Sequence, residues 1–214
     1  MHSHIRFLVP VAAAVLVLAQ APAQAQSNTL KFGVIRYDPH STSDGITGLG
    51  VPAGADSNVD AANAPLLTYE RELVPNLGLE LVLGVPPKVK TYATGSVSFL
   101  GEVLTAKNIA PALIFNYHFG QAGDTWRPYL GVGLNYTHFG DPQSPYGWQV
   151  KLSDSMGMLI QGGVDYAINK QWGLFLSIDR VDVKTKLVAV GATVLQSDIN
   201  LRPWTFALGA SYRY

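Results

Sequence analysis

From residue 29 onward the chain is written with a period of two, and that period limits its fold more than any other feature. In Leu77-Gly78-Leu79-Glu80-Leu81-Val82-Leu83 every odd position is Leu. In Tyr129 to Thr137 the even positions Leu130, Val132, Leu134 and Tyr136 are apolar. Met156, Met158, Ile160, Val164, Tyr166 and Ile168 form one face opposite Gly157, Gln161, Gly163 and Asp165. The last segment sets Trp204, Phe206, Leu208, Ala210, Tyr212 and Tyr214 against Thr205, Ala207, Gly209, Ser211 and Arg213. Alternation at this period means strands with unlike faces. Eight are predicted, at 29–37, 65–73, 77–85, 109–119, 128–139, 154–168, 172–186 and 198–214. Beyond residue 20 no run of about 18 apolar residues could span a bilayer as a helix.

The N-terminus has a different grammar. Arg6 precedes an apolar stretch from Phe7 to Ala19, and Ala23-Gln24-Ala25 supplies a small-x-small site, the order of a secretory signal peptide. Residues 1–25 are therefore expected to be a cleaved signal peptide and 26–214 a single exported domain. The chain has no cysteine, which removes disulfides, thiolate metal sites and a cysteine nucleophile. Its formal charge is zero, so it lacks the cationic excess that nucleic-acid binding needs. Charged residues make up 14%, against roughly 25% in soluble domains.

Connection lengths carry orientation. Val74-Pro75-Asn76, Gly120 to Arg127 and Asn169-Lys170-Gln171 are short; 38–64, 86–108, 140–153 and 187–197 are long and rich in turn formers. Short turns at one end and long loops at the other describe an outer-membrane barrel. A soluble eight-stranded carrier would hold its apolar face inside. Here the opposite face is small and polar, which suits the cramped interior of eight strands, while the long aliphatics suit lipid. Tyr117, Phe119, Trp172, Tyr212 and Tyr214 near the short turns, with Tyr136, Phe139, Trp148 and Trp204 near the long loops, read as two interfacial belts. The prediction is an all-β, eight-stranded antiparallel up-and-down transmembrane barrel with outer-membrane lipid as its solvent.

Particular tracts resemble a known family. Arg127-Pro128-Tyr129-Leu130-Gly131-Val132-Gly133-Leu134-Asn135-Tyr136-Thr137 resembles the fifth strand of the OmpW family, and Gly163-Val164-Asp165-Tyr166, Asp182-Val183-Lys184-Thr185 and Pro203-Trp204 are similar too. So are Asn76 to Glu80, Pro111 before the fourth strand, and Gly209 to Tyr214. Arg180 and Arg202 depart from the pattern, standing where an aromatic and an Asp are usual. The resemblance implies an outer-membrane channel of a Gram-negative bacterium that takes up small hydrophobic molecules passively, with sideways release into the membrane; an alkane-uptake branch belongs to the family. The alternative is a structural or adhesive barrel that transports nothing. A terminus on Tyr214 resembles the signal read by the barrel-assembly machinery.

Candidate residues follow from strand parity. Glu80, Val82, Ile114, Asn116, Tyr129, Asn135, Gln161, Asp165, Phe175 and Ser211 are expected to line the lumen, and Tyr92, Phe99 and Leu100 to form an apolar mouth. Pro111 has no N–H to give to a sheet ladder, so a lateral gap beside it is one reading and a simple strand start the other. Arg71 falls on the lipid face, where snorkelling to the headgroups is the expected resolution. His118, Asp165, Ser177 and Ser211 are the ingredients of a hydrolase triad without a Gly-x-Ser-x-Gly elbow. No enzyme is expected; His118 reads as interfacial and Asp165 as a lumen partner for Arg213. The five histidines show no metal-ligand spacing, and no metal or cofactor is implied.

Overall fold

The computed structural model describes residues 27–39, 41–43, 45–191 and 194–214. The expected signal peptide at 1–25 lies outside them. Eight strands close on themselves: β1 (Asn28–Asp38), β5 (Ala62–Val74), β6 (Leu77–Gly84), β9 (Ala112–His118), β10 (Trp126–Gln143), β12 (Ser155–Ala167), β13 (Trp172–Val181) and β16 (Trp204–Arg213). Each pairs antiparallel with its neighbour in that order, and β16 returns to β1, with Gly33 opposite Gly209. Closure removes the two edges that hydrocarbon would not tolerate.

Parity decides the faces as the sequence predicts. Leu130, Val132 and Leu134 are exposed on β10, whereas Tyr129 is buried inside. Long apolar groups cover the outside, and the interior is filled by side chains. Where two strands must come close, the chain uses glycine: a Cβ on Gly33 would strike the Leu208 carbonyl across the ladder, and one on Gly163 would strike the Tyr129 ring. At the short-turn end, edge-on Tyr117–Phe119 (5.2 Å), tilted Trp126–Tyr166 (4.7 Å) and tilted Trp172–Tyr212 (4.9 Å) ring pairs form a girdle. By the rule that short turns are periplasmic, this is the periplasmic end.

Two expectations need correction. Phe139 was assigned to the outer belt, but its odd position puts it inside, 8% exposed, among Ile114, Leu159 and Val181. The long connections, expected as loops, contain eight further strands. These are β2 (Ser41–Ser43), β3 (Thr47–Gly48), β4 (Ala55–Val59), β7 (Lys88–Gly95), β8 (Glu102–Ile109), β11 (Gln149–Leu152), β14 (Val183–Val190) and β15 (Val194–Leu201). β4, β7 and β8 build onto the upper part of β10; β11, β14, β15 and β2 form a second sheet, with β3 beside β15. β10 has 18 residues, roughly 60 Å of strand, where about 10 suffice to cross a bilayer. The predicted strands 172–186 and 198–214 break at Asp182 and at Arg202-Pro203, the second because Pro203 cannot donate to a ladder.

Candidate functional site: the barrel interior

The interior holds an apolar cluster and an ionic layer, with buried Asn108, Asn135, Thr137 and Ser155 beside the cluster. Toward the extracellular end Ala106, Ala112, Ile114, Phe139, Leu159, Val181, Val183, Ile199 and Leu201 pack together, with Val82 and Leu187 against them. Only aliphatic, small and aromatic groups meet there, so no hydrogen-bonding partner is owed to any side chain of the cluster.

One strand step lower the lining becomes ionic. Lys31 on β1, 1% exposed, holds Glu70 on β5 at 3.0 Å and Asp165 on β12 at 3.4 Å. Its ammonium also lies 4.6 Å over the Tyr129 ring. His118 Nε2 meets Glu70 Oε1 at 2.5 Å, and its Nδ1 stands 3.7 Å from Asp165. Asn116 is wholly buried and donates to Glu80 at 2.7 Å; the Thr205 hydroxyl donates to Asp179 at 2.8 Å. Four buried carboxyls, Glu70, Glu80, Asp165 and Asp179, thus surround Lys31 and His118. A charge in such a place is tolerable only when paired and hydrogen-bonded.

Below this layer Arg127 donates to Glu72 at 3.0 Å and to the Asn76 side chain at 2.9 Å, and Ser27 donates to Glu72 at 2.8 Å. Asn76 takes positive φ (68°) in the β5–β6 turn, and its own N–H reaches Glu72 at 2.9 Å. The cavity left between Arg127, Asp165, Ser211 and Arg213 measures about 20 Å³, room for about one water.

The predicted lining residues Glu80, Ile114, Asn116, Tyr129, Asn135, Gln161, Asp165, Phe175 and Ser211 are all buried, and Val82 is half-buried against the apolar cluster. Lys31, Glu70 and His118 were missed, although parity marks them: Lys31 alternates with Leu30 and Phe32, Glu70 follows Thr68, and His118 follows Asn116. Two partner assignments were wrong. His118 is buried inside rather than interfacial, and Asp165 meets Lys31 while Arg213 donates to the Ala122 carbonyl. Arg71 is 8% exposed, tucked against the wall between Asn28 and Leu79 in the β1–β5–β6 register. Of the triad ingredients, His118 has Glu70 on its Nε2 and Asp165 3.7 Å from its Nδ1. Glu70, His118 and Asp165 offer ligand atoms within 4.8 Å of one another, a spacing a metal ion would accept, but Lys31 supplies the cation there itself.

Beside the apolar cluster the β6–β9 ladder is interrupted. The β6–β9 ladder ends at Val82 opposite Ala112, and the next bond between these chain segments runs from the Asn108 N–H to the Pro87 carbonyl at 2.9 Å. Pro111 sits in that interval. Its carbonyl is held from the other side by the Tyr136 N–H (3.0 Å) and the Asn135 amide (3.1 Å), so the N–H it lacks would also face β10, while β6 beyond Val82 pairs only with β5. At the extracellular tips Phe99 is 81% exposed, Leu100 and Tyr92 are half-buried in the β7–β8 hairpin, and Tyr146 stacks on Trp148 at 5.1 Å.

A closed antiparallel barrel of eight strands, lipophilic without and ionic within, is an outer-membrane β-barrel protein of a Gram-negative bacterium. The model of the OmpW family matches residues 25–214, and the chain belongs to that family. It is 34% identical over 157 residues to outer membrane protein W of Escherichia coli K12, covering 69% of this chain and 71% of that one. It is 28% identical over 214 residues to outer membrane protein W of Vibrio cholerae serotype O1, covering 94% and 96%. The crystal structure of the outer membrane protein OprG from Pseudomonas aeruginosa superposes with a TM-score of 0.84 at 25% identity, covering 89% of this chain and 97% of that one.

Proposed function

We propose that the barrel takes small hydrophobic molecules from outside and releases them sideways into the membrane. The observation that carries this reading is the change of lining: an apolar cluster beside the interrupted β6–β9 ladder, over an ionic layer of Lys31, Glu70 and Asp165. An apolar solute gains by entering among Ile114, Phe139 and Leu159, and would lose that gain by pushing into Lys31, Glu70 and Asp165. Its downhill path leads outward between β6 and β9, past Pro111 and Val82, into hydrocarbon. Tyr92, Phe99 and Leu100 would form the apolar mouth. A relative in Pseudomonas aeruginosa, 24% identical over 65% of this chain, is named for a dibenzothiophene metabolism operon, a solute class of the same apolar kind.

The test is flux of a labelled polycyclic thiophene into lipid vesicles. Wild type should raise it over empty vesicles. Val82→Trp, which puts bulk where the β6–β9 ladder ends, should lower it by about threefold or more. Protein that folds but adds no flux would leave the structural or adhesive barrel as the better reading. Unchanged flux in Val82→Trp would remove the lateral route.

A further inference from the structure

The outward-facing stripe of β13 runs Trp172, Leu174, Leu176, Ile178 and then turns to Arg180, Asp182 and, along β14, Lys184. The neighbouring β16 changes in step, from Leu208 and Phe206 through Trp204 to Arg202, and β1 from Val34 to Arg36. From Trp172 to Arg180 is roughly 26 Å of strand, or about 20 Å of height at the usual barrel tilt, close to the thickness of the apolar band. The charged row therefore stands where hydrocarbon gives way to the headgroups of the outer leaflet.

That row is unlike an ordinary rim. Arg180 and Trp204 are directly opposed in the β13–β16 register, and the guanidinium lies 4.8 Å over the indole ring. Arg180 makes no ion pair among the described residues. Arg202 has only a long contact, 3.9 Å, to Asp182. Lys184 and Arg36 have no carboxylate partner among the described residues. The acids of the patch are Asp182 and Asp38, so four cations outnumber two anions. Between β12 and the break after Val181 lies a shallow depression of about 260 Å³, walled by Met158, Ile160 and Val181 and rimmed by Arg180, Asp182 and Arg202. The register sets Ile160 beside Arg180 and Met158 beside Asp182, so its β12 side is apolar and its β13 side charged.

We propose that this depression is a seat for the phosphorylated glycolipid of the outer leaflet: a sugar phosphate on Arg180 and Arg202, with Lys184 above and an acyl chain along Met158 and Ile160. An acyl chain demands the apolar β12 side, and a phosphate demands the guanidinium pair, whose planar forks suit its oxygens. Stacking on Trp204 keeps Arg180 extended toward the headgroup and lowers the entropy lost when it binds. A peptide or a soluble anion would have no use for the lipid-facing apolar side at this height.

Native mass spectrometry of the detergent-solubilised protein tests the seat, with a bisphosphorylated, acylated glucosamine disaccharide as probe. Wild type should retain it, and the doubly dephosphorylated disaccharide should be retained about tenfold less. The Arg180→Gln/Arg202→Gln protein should lose about the same factor, and Lys90→Gln on the distant hairpin should lose nothing. Heat-modifiable migration reports whether each variant is folded. Should the double variant fail to fold, Arg180→Gln alone, at a half-buried side chain without an ion pair, must lower retention by about threefold. Equal retention by wild type and the folded Arg variants overturns the proposal. So does equal, Arg-dependent retention of phosphatidylglycerol, which would make the patch a general anion contact.

Discussion

Lys31→Met puts the ionic layer to the test. Methionine matches the length of the lysine stem and fills the same volume between Tyr129 and Phe175, so packing is nearly conserved and the change is electrostatic. What it removes is the cation 3.0 Å from Glu70 and 3.4 Å from Asp165, both inside the barrel. Removing one member of a buried pair typically costs about 3–5 kcal/mol, because the other charge stays behind without compensation. His118 remains on Glu70, which keeps one of the two acids partnered and places the expectation near the lower end, about 3 kcal/mol. Urea unfolding of the protein in lipid vesicles, followed by tryptophan fluorescence, should show a lower midpoint at unchanged slope. Adding Glu70→Gln and Asp165→Asn to Lys31→Met should recover most of the loss, since neutral amides need no counter-charge. A Lys31→Met protein within about 1 kcal/mol of wild type would mean that water or residues outside the layer already screen these carboxylates, and the account of a sealed ionic layer would be wrong.

Two smaller changes probe other parts. Gly163→Ala drives a methyl into the Tyr129 ring and the Leu176 carbonyl, and because the carbonyl belongs to a ladder it cannot move aside; a loss of about 1–3 kcal/mol in the same unfolding assay is expected. On the extracellular hairpin, hydrogen bonds from Lys90 (2.7 Å) and Thr105 (2.8 Å) hold the Glu102 carboxyl below the usual range. A depressed folded value means the contact is present above the ordinary carboxylate range, near pH 4, and is lost as pH falls through the lowered value. An NMR titration should find Glu102 low in wild type and restored toward the ordinary value in Lys90→Met.

Parity made most of the barrel readable. Strands such as Leu77–Gly84 and Trp126–Gln143 declare their lipid face because every second residue is large and apolar, and lipid accepts little else. The same parity contains Lys31, Glu70 and His118, which were passed over because a charge in a membrane strand reads first as a problem to be explained away. Parity says which face a residue occupies, not which residue it meets. Lys31 and Asp165 are 134 positions apart and come together across the lumen, a contact set by the closure of the sheet. The extracellular strands were hidden for another reason. Segments such as Lys88–Gly95 stand in water, need no lipid-facing stripe, and carry turn formers that read as loops.

The Lys31–Glu70–His118–Asp165 cluster draws its members from β1, β5, β9 and β12, and none of the short-turn hairpins β5–β6, β9–β10 and β12–β13 contains more than one of them. Along the sheet, β1 and β12 are separated by β16 and β13, so an open sheet holds Lys31 and Asp165 apart on a curved ribbon. A half-built intermediate in the bilayer would therefore carry bare charges on the face that later becomes the interior. That penalty disfavours every partly zipped form, and it falls away in one step when the seam between the first and last strands is sewn. Lys31 reaches Glu70 on the adjacent β5 in the open sheet, but its second partner, Asp165, is met across the lumen of the closed one.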